Sequence, residues 1–270
     1  MTLATLLHSR PARLLAAVGA TLIGLAVGSN GWAAERHEAW NWNGTLAAGR
    51  TLAIHGVNGE IVAEPASGDR IEIVADKHGK RHDPAEVKLE VVQDSDGLTI
   101  CAVYPGQGSP CTGKKLLPGH RNCDVQVDFK VRVPAGVTFD ANTVNGGVTA
   151  RDLGGPVRAH TVNGTCDIET AQSGEASTVN GNVTARLGRV GAGDRLDFTT
   201  VNGTITLRLP DRFDADLTGS TVNGSISTDF PVTVQGKWGP RSMHGTVGRG
   251  GARLNASTVN GSIRLTNHVD

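Results

Sequence analysis

The chain has 270 residues, with 26 Lys plus Arg against 26 Asp plus Glu. It is long enough to bury a sizeable core, and it carries no bulk field that would draw in nucleic acid or anionic lipid. A 38% hydrophobic and 19% charged composition excludes a disordered chain, while only 4% aromatics and as many as 36 glycines argue against a large conventional core built on rings.

Residues 1–33 read as a secretory signal. Arg10 and Arg13 precede an apolar run, 14–27, and Gly31-Trp32-Ala33 supplies a small-x-small cleavage site. The run is about 14 residues, short of the roughly 20 that cross a bilayer. No Cys follows it, so a lipoprotein signal is absent. The mature chain, 34–270, is expected to be periplasmic or secreted and to have no transmembrane segment once the signal is cleaved.

The next stretch, 36–133, is irregular. Strand-like runs with partial apolar alternation fall at 70–75, 87–92, 98–103 and 123–133, punctuated by Gly, Pro and charge at 77–84, 94–97 and 105–122. No amphipathic helix is predicted. Val57-Asn58-Gly59 carries ahead of this region the motif that dominates the second half of the chain, so 36–133 reads as the irregular first turns of one continuous domain.

From 134 to 270 one motif repeats. Val-Asn-Gly recurs around Asn145, Asn163, Asn180, Asn202, Asn223 and Asn260, and Met243-His244-Gly245 fills the long gap as a degenerate copy. The steps run from 16 to 22 residues. The column three after each Asn is apolar: Ile61, Val148, Cys166, Val183, Ile205, Ile226, Val247 and Ile263. Strict alternation across a strand would put Val, Gly and this column inward. The other face would then collect Thr161, Asn163 and Thr165; Thr178, Asn180 and Asn182; Thr200, Asn202 and Thr204; Thr221, Asn223 and Ser225; and Thr258, Asn260 and Ser262.

Two all-β architectures compete. Asn-Gly between β-branched residues is a strong hairpin signal and gives an antiparallel β-meander. A hairpin, however, gives no reason for the flanking columns to repeat from copy to copy. A single-domain parallel β-solenoid, a β-helix with coils of about 16–22 residues, does: equivalent residues stack about 4.8 Å apart as ladders. The expected fold is the solenoid, and the Thr/Asn/Ser ladder face is its candidate binding surface.

Other chemistry fails inspection. The stretch 108–115 has the Gly and Lys spacing of a phosphate-binding loop, but Lys115 stands where a hydroxyl is needed and no helix follows. His78 and His82 lie four apart in a cationic, glycine-broken segment that suits no metal. Asp211, Asp214 and Asp216 suggest paired carboxylates but have no partnered base. Seven Asn-x-Ser/Thr sequons begin with Asn43, and several simply fall out of the repeat. No catalytic residue, metal ligand or cofactor is expected. Cys166 occupies the apolar column and is expected to pack as a free, buried thiol, leaving three cysteines for one bond.

Over roughly 36–270, the chain resembles the exported bacterial proteins of unknown function that carry Thr-Val-Asn-Gly repeats and are labelled putative adhesins. The resemblance rests on the repeats, on Ile100-Cys101-Ala102-Val103-Tyr104-Pro105, on Val131-Arg132-Val133-Pro134-Ala135-Gly136 and on Thr258-Val259-Asn260-Gly261-Ser262-Ile263. It implies a β-helical, non-catalytic envelope protein and brings no catalytic residues. It also favours a Cys101–Cys111 disulfide, with Cys111–Cys123 the competing pair. Expected partners are an envelope glycan or protein, and not nucleic acid; the competing function is a β-helical enzyme acting on polysaccharide.

Overall fold

The computed structural model describes residues 35–106, 108–109, 111, 123–234 and 241–268. The expected signal, 1–33, lies outside them, as does most of the 108–115 loop. Apart from one 3-10 turn, Pro84–Glu86, the described chain is strand and turn.

The first seven strands are β1 (Arg36–Thr45), β2 (Thr51–His55), β3 (Ile61–Pro65), β4 (Arg70–Gly79), β5 (Lys88–Gln93), β6 (Gly97–Val103) and β7 (Gln126–Val133). The repeats supply β8 (Thr138–Asn142), β9 (Val148–Leu153), β10 (Val157–His160), β11 (Cys166–Thr170), β12 (Gly174–Ser177), β13 (Val183–Leu187), β14 (Arg195–Thr199), β15 (Ile205–Pro210), β16 (Ala215–Asn223) and β17 (Ile226–Thr228). The chain closes with β18 (Val232–Val234), β19 (Ser242–Val247), β20 (Ala252–Asn260) and β21 (Ile263–His268).

These make two large mixed sheets. The ten-stranded sheet runs β1-β4-β7-β3-β9-β11-β13-β15-β21-β17, and the eleven-stranded sheet runs β18-β19-β16-β20-β14-β12-β10-β8-β2-β6-β5. From β7 to β17 in the first, and from β6 to β16 in the second, neighbours are parallel. The flanks are antiparallel: β1 on β4, β4 on β7, β5 on β6, and β16 and β18 on β19. Neither expected architecture accounts for the whole, since the repeats pair in parallel while the ends fold back as hairpins.

Each Val-Asn-Gly segment carries the chain from the eleven-stranded sheet to the ten-stranded one, as from β10 to β11 and from β12 to β13. The apolar column stacks in register: Val148, Cys166, Val183, Ile205, Ile263 and Ile226 are successive Cα partners. These residues are buried and each contributes on the order of 1.5–3 kcal/mol of transfer free energy. Phe198 is fully buried with Ala176 and Ala256 as its rung neighbours, so the large ring is accommodated between two small side chains.

Two parts of the repeat reading are corrected. The rungs are not in chain order: Asn202 bridges to Asn260, and Asn260 pairs with Asn223. The last repeat, β20–β21, is therefore inserted between β14–β15 and β16–β17. Met243-His244-Gly245 is no rung at all. It lies in β19, antiparallel to β16, with His244 opposite Thr218, and β19 takes the edge of β16 that a further rung would need.

Candidate functional site: the Val-Asn-Gly edge

The edge is built from a bend. Alternation carries through the Thr and the Val, buried and exposed in turn and in phase with the strand before them, and breaks at the Asn, so two successive residues, Val and Asn, point outward. The consequence reverses part of the sequence reading. Thr143, Thr161, Thr178, Thr200, Thr221 and Thr258 are buried, whereas the valines that alternation put inward are exposed: 38% at Val144, 39% at Val162, Val179, Val201 and Val259, and 56% at Val222.

The buried threonines have a specific task. Each hydroxyl donates to the glycine carbonyl of the adjacent rung: Thr161 to Gly146 at 2.8 Å, Thr178 to Gly164 at 2.8 Å, Thr200 to Gly181 at 2.9 Å, Thr258 to Gly203 at 3.0 Å and Thr221 to Gly261 at 2.8 Å. A buried carbonyl at a corner needs a partner, and Thr supplies it while its methyl remains apolar. Glycine is required for another reason. A Cβ on Gly164, Gly181 or Gly203 would overlap the carbonyl oxygen of the preceding rung's glycine, so no other residue lets the corners stack.

Outside the bend the asparagine amides form a continuous ladder. Each Nδ2 donates to the Oδ1 of the next rung: Asn145 to Asn58 at 2.8 Å, Asn163 to Asn145 at 2.9 Å, Asn180 to Asn163 at 2.8 Å, Asn202 to Asn180 at 2.8 Å, Asn260 to Asn202 at 2.7 Å and Asn223 to Asn260 at 2.7 Å. Beside it run Thr165, Asn182, Thr204, Ser262 and Ser225, all exposed or half-exposed. Asn182 Oδ1 accepts the Thr204 N–H at 2.9 Å, and the Ser225 and Ser262 hydroxyls lie 3.4 Å apart. From Val144 to Ser225 these outward columns hold no charged side chain.

Of the candidate face, then, Asn163, Asn180, Asn202, Asn223 and Asn260 come together with Thr165, Asn182, Thr204, Ser225 and Ser262. Thr161, Thr178, Thr200, Thr221 and Thr258 do not reach the surface. The outward valine column is not predicted by alternation counted across the Asn-Gly corner, although its recurrence is plain in the sequence; the change of phase at the Asn reveals which way it points.

The other sequence candidates resolve as structural ties. His78 bonds Asp128 through Nε2 at 2.9 Å and Glu35 through Nδ1 at 3.1 Å, while His82 Nδ1 pairs with Asp124 at 2.8 Å. Among the described residues no group of three His, Cys, Asp or Glu could hold a metal. Asp214 takes the Arg249 backbone N–H at 2.8 Å and its guanidinium at 2.9 Å, which hold its carboxyl below the usual range. Asp216 accepts the Thr246 hydroxyl. Cys101 and Cys111 are disulfide-bonded with Cα atoms 5.8 Å apart. Cys166 is a free, buried thiol whose burial pushes its pKa up to about 12.

No protein-family profile matches the chain, and no curated protein matches it in sequence. Solved structures with a distant likeness to the chain include a putative cell adhesion protein from Clostridium sporogenes, 10% identical with a TM-score of 0.47, covering 86% of this chain and 100% of that one. A putative adhesin from Bacteroides fragilis is 9% identical at a TM-score of 0.31, covering 84% and 97%. A putative lipid binding protein from Parabacteroides distasonis is 9% identical at 0.23, covering 86% and 97%. Likenesses this distant assign no activity. Among the described residues no helix is long and apolar enough to cross a membrane.

Proposed function

We propose that this chain is an exported, non-catalytic cell-envelope protein whose parallel repeats form a short two-sheeted β-solenoid, and that its Val-Asn-Gly edge is an adhesive surface. The observation that carries the reading is the pair of outward columns. A column of half-exposed valines lies against an unbroken amide ladder, at a spacing of about 4.8 Å per rung, over the rungs from Val144 to Val222. Core packing does not call for valine at an exposed position, and contiguous exposed apolar surface marks an interaction site. Each ladder asparagine from Asn145 to Asn260 uses one N–H and one lone pair within the ladder, which leaves a second of each for a partner. The Cys101–Cys111 bond fits an oxidising compartment outside the cytosol.

The test is association with isolated cell envelopes. Val162→Lys with Val201→Lys places charge on the stripe two rungs apart, so that the new charges are not direct neighbours, without touching the buried threonines. The variant should keep the unfolding midpoint of the native chain and lose envelope retention. Retention unchanged in the folded variant would leave the edge a structural seam and remove the adhesive reading.

A further inference from the structure

A mixed sheet that does not close ends in edges, and proteins blunt such edges to avoid unplanned pairing. Among the described strands, three of the four edges are blunted. The ten-stranded sheet ends at β17 and the eleven-stranded sheet at β18, each only 3 residues long. At the other end of the eleven-stranded sheet, β5 carries Lys88 and Glu90, and Cys111 Sγ lies 3.9 Å from the Glu90 carbonyl, so the disulfide-bearing segment lies against that strand. The fourth edge, β1, is 10 residues long and pairs with β4 along its whole length. No described strand lies on its other side. Between Glu38 and Thr45 it contains no charge and no Pro.

We propose that β1 pairs with β1 of a second copy of this chain, antiparallel and about a two-fold axis at Asn41. The side chains select both this occupant and this register. Trp40 and Trp42 lie on the inward face of β1, half-buried and packed against the core. Pairing residues 37–45 of each copy puts Trp40 opposite the second copy's Trp42, twice over. Cross-strand aromatic pairs are favourable, and the Trp42 ring covers Gly44 beside the seam. Glu38 then faces Gly44, His37 faces Thr45 and Ala39 faces Asn43, so no like charges are opposed. A register two residues shorter would set Trp42 against Glu38 and leave one aromatic pair. The paired edge joins two ten-stranded sheets into one, which removes the single long edge the described strands leave open.

The experiment uses the full mature chain. In a Cys123→Ser background, Asn41→Cys places two thiols on the axis, and non-reducing electrophoresis should give a covalent dimer. Asn43→Cys faces Ala39 and should give little. Sedimentation of the unaltered chain should report a dimer, and Asn41→Lys, which opposes two like charges at an exposed site, should raise the dissociation constant about tenfold or more, with the unfolding midpoint unchanged at concentrations where both chains are monomeric. A monomer throughout the concentration range, a dimer indifferent to Asn41→Lys, or cross-linking at 43 in preference to 41 would each overturn the proposal.

Discussion

Thr200 and Asn202 sit two residues apart at the same corner and carry different loads. Thr200 is buried, and its hydroxyl satisfies the Gly181 carbonyl; Asn202 is exposed and bonded to a ladder neighbour on either side. The Gly181 carbonyl lies at a half-buried corner, where an acceptor left unmet costs up to about 1–3 kcal/mol, whereas an exposed hydrogen bond is worth about 0.5–1.5 kcal/mol. Thr200→Val should therefore destabilise the protein more than Asn202→Ala does, as urea unfolding of both variants will measure. The ladder also bears on Asn-Gly chemistry, because deamidation needs the glycine N–H as its nucleophile. At Gly181, Gly203 and Gly261 that N–H donates to the next rung's Asn carbonyl at 3.0 Å. Asn223 is the last rung among the described residues. Mass spectrometry of aged native protein should find Asn223 modified first and Asn180 and Asn202 protected, with the differences erased by unfolding.

At the scale of elements, β1 is held to its neighbours by ionisable groups. His78 on β4 reaches Glu35, just ahead of β1, and Asp128 on β7, and its ring stacks on His37 with centroids 5.4 Å apart. Burial lowers the His78 pKa, but the hydrogen bonds its ring N–H groups donate to Glu35 and Asp128 more than offset it, so the folded value lies above the ordinary 6.5. The stabilisation from this group is fully present below the unfolded pKa and is lost as pH rises through the folded one. Glu35, whose pKa is lowered chiefly by its bond to His78, contributes above its unfolded value and loses that contribution on acidification. Stability attributable to β1 should therefore decline from slightly acid to slightly alkaline pH, and His78→Gln should flatten that slope in a series of urea titrations. Element existence is legible in the sequence where alternation is clean: the runs at 70–75 and 98–103 fall within β4 and β6, and the apolar column lies in register across seven rungs. The facing of Thr and Val is misread when alternation is counted back from the apolar column across the Asn, where the chain bends and the phase changes; counted forward from the preceding strand it places Thr inward and Val outward.

For the whole molecule, what the sequence cannot reveal is order. Identical repeats carry no label saying which lies beside which, since Ile205, Ile226 and Ile263 offer the same surface to a neighbour. The choice is made elsewhere, by β19 occupying the outer edge of β16, which leaves the place between β14 and β16 for β20. His244 passes for a rung for the same reason: spacing alone cannot separate a rung from an antiparallel strand that crosses at a similar interval. The two outward columns, their uncharged surface and the β1 edge that the described strands leave open all depend on this arrangement of parallel rungs between antiparallel flanks.

Paired-cysteine cross-linking tests that arrangement most directly, because a disulfide spans Cα atoms no more than about 7 Å apart. Neighbouring rungs meet that limit and alternate rungs do not. Thr204→Cys with Ser262→Cys joins rungs that are adjacent in this fold and should cross-link readily, while Thr204→Cys with Ser225→Cys, adjacent only in chain order, should remain reduced. Cross-linking of the second pair and not the first, or of neither, would contradict the account.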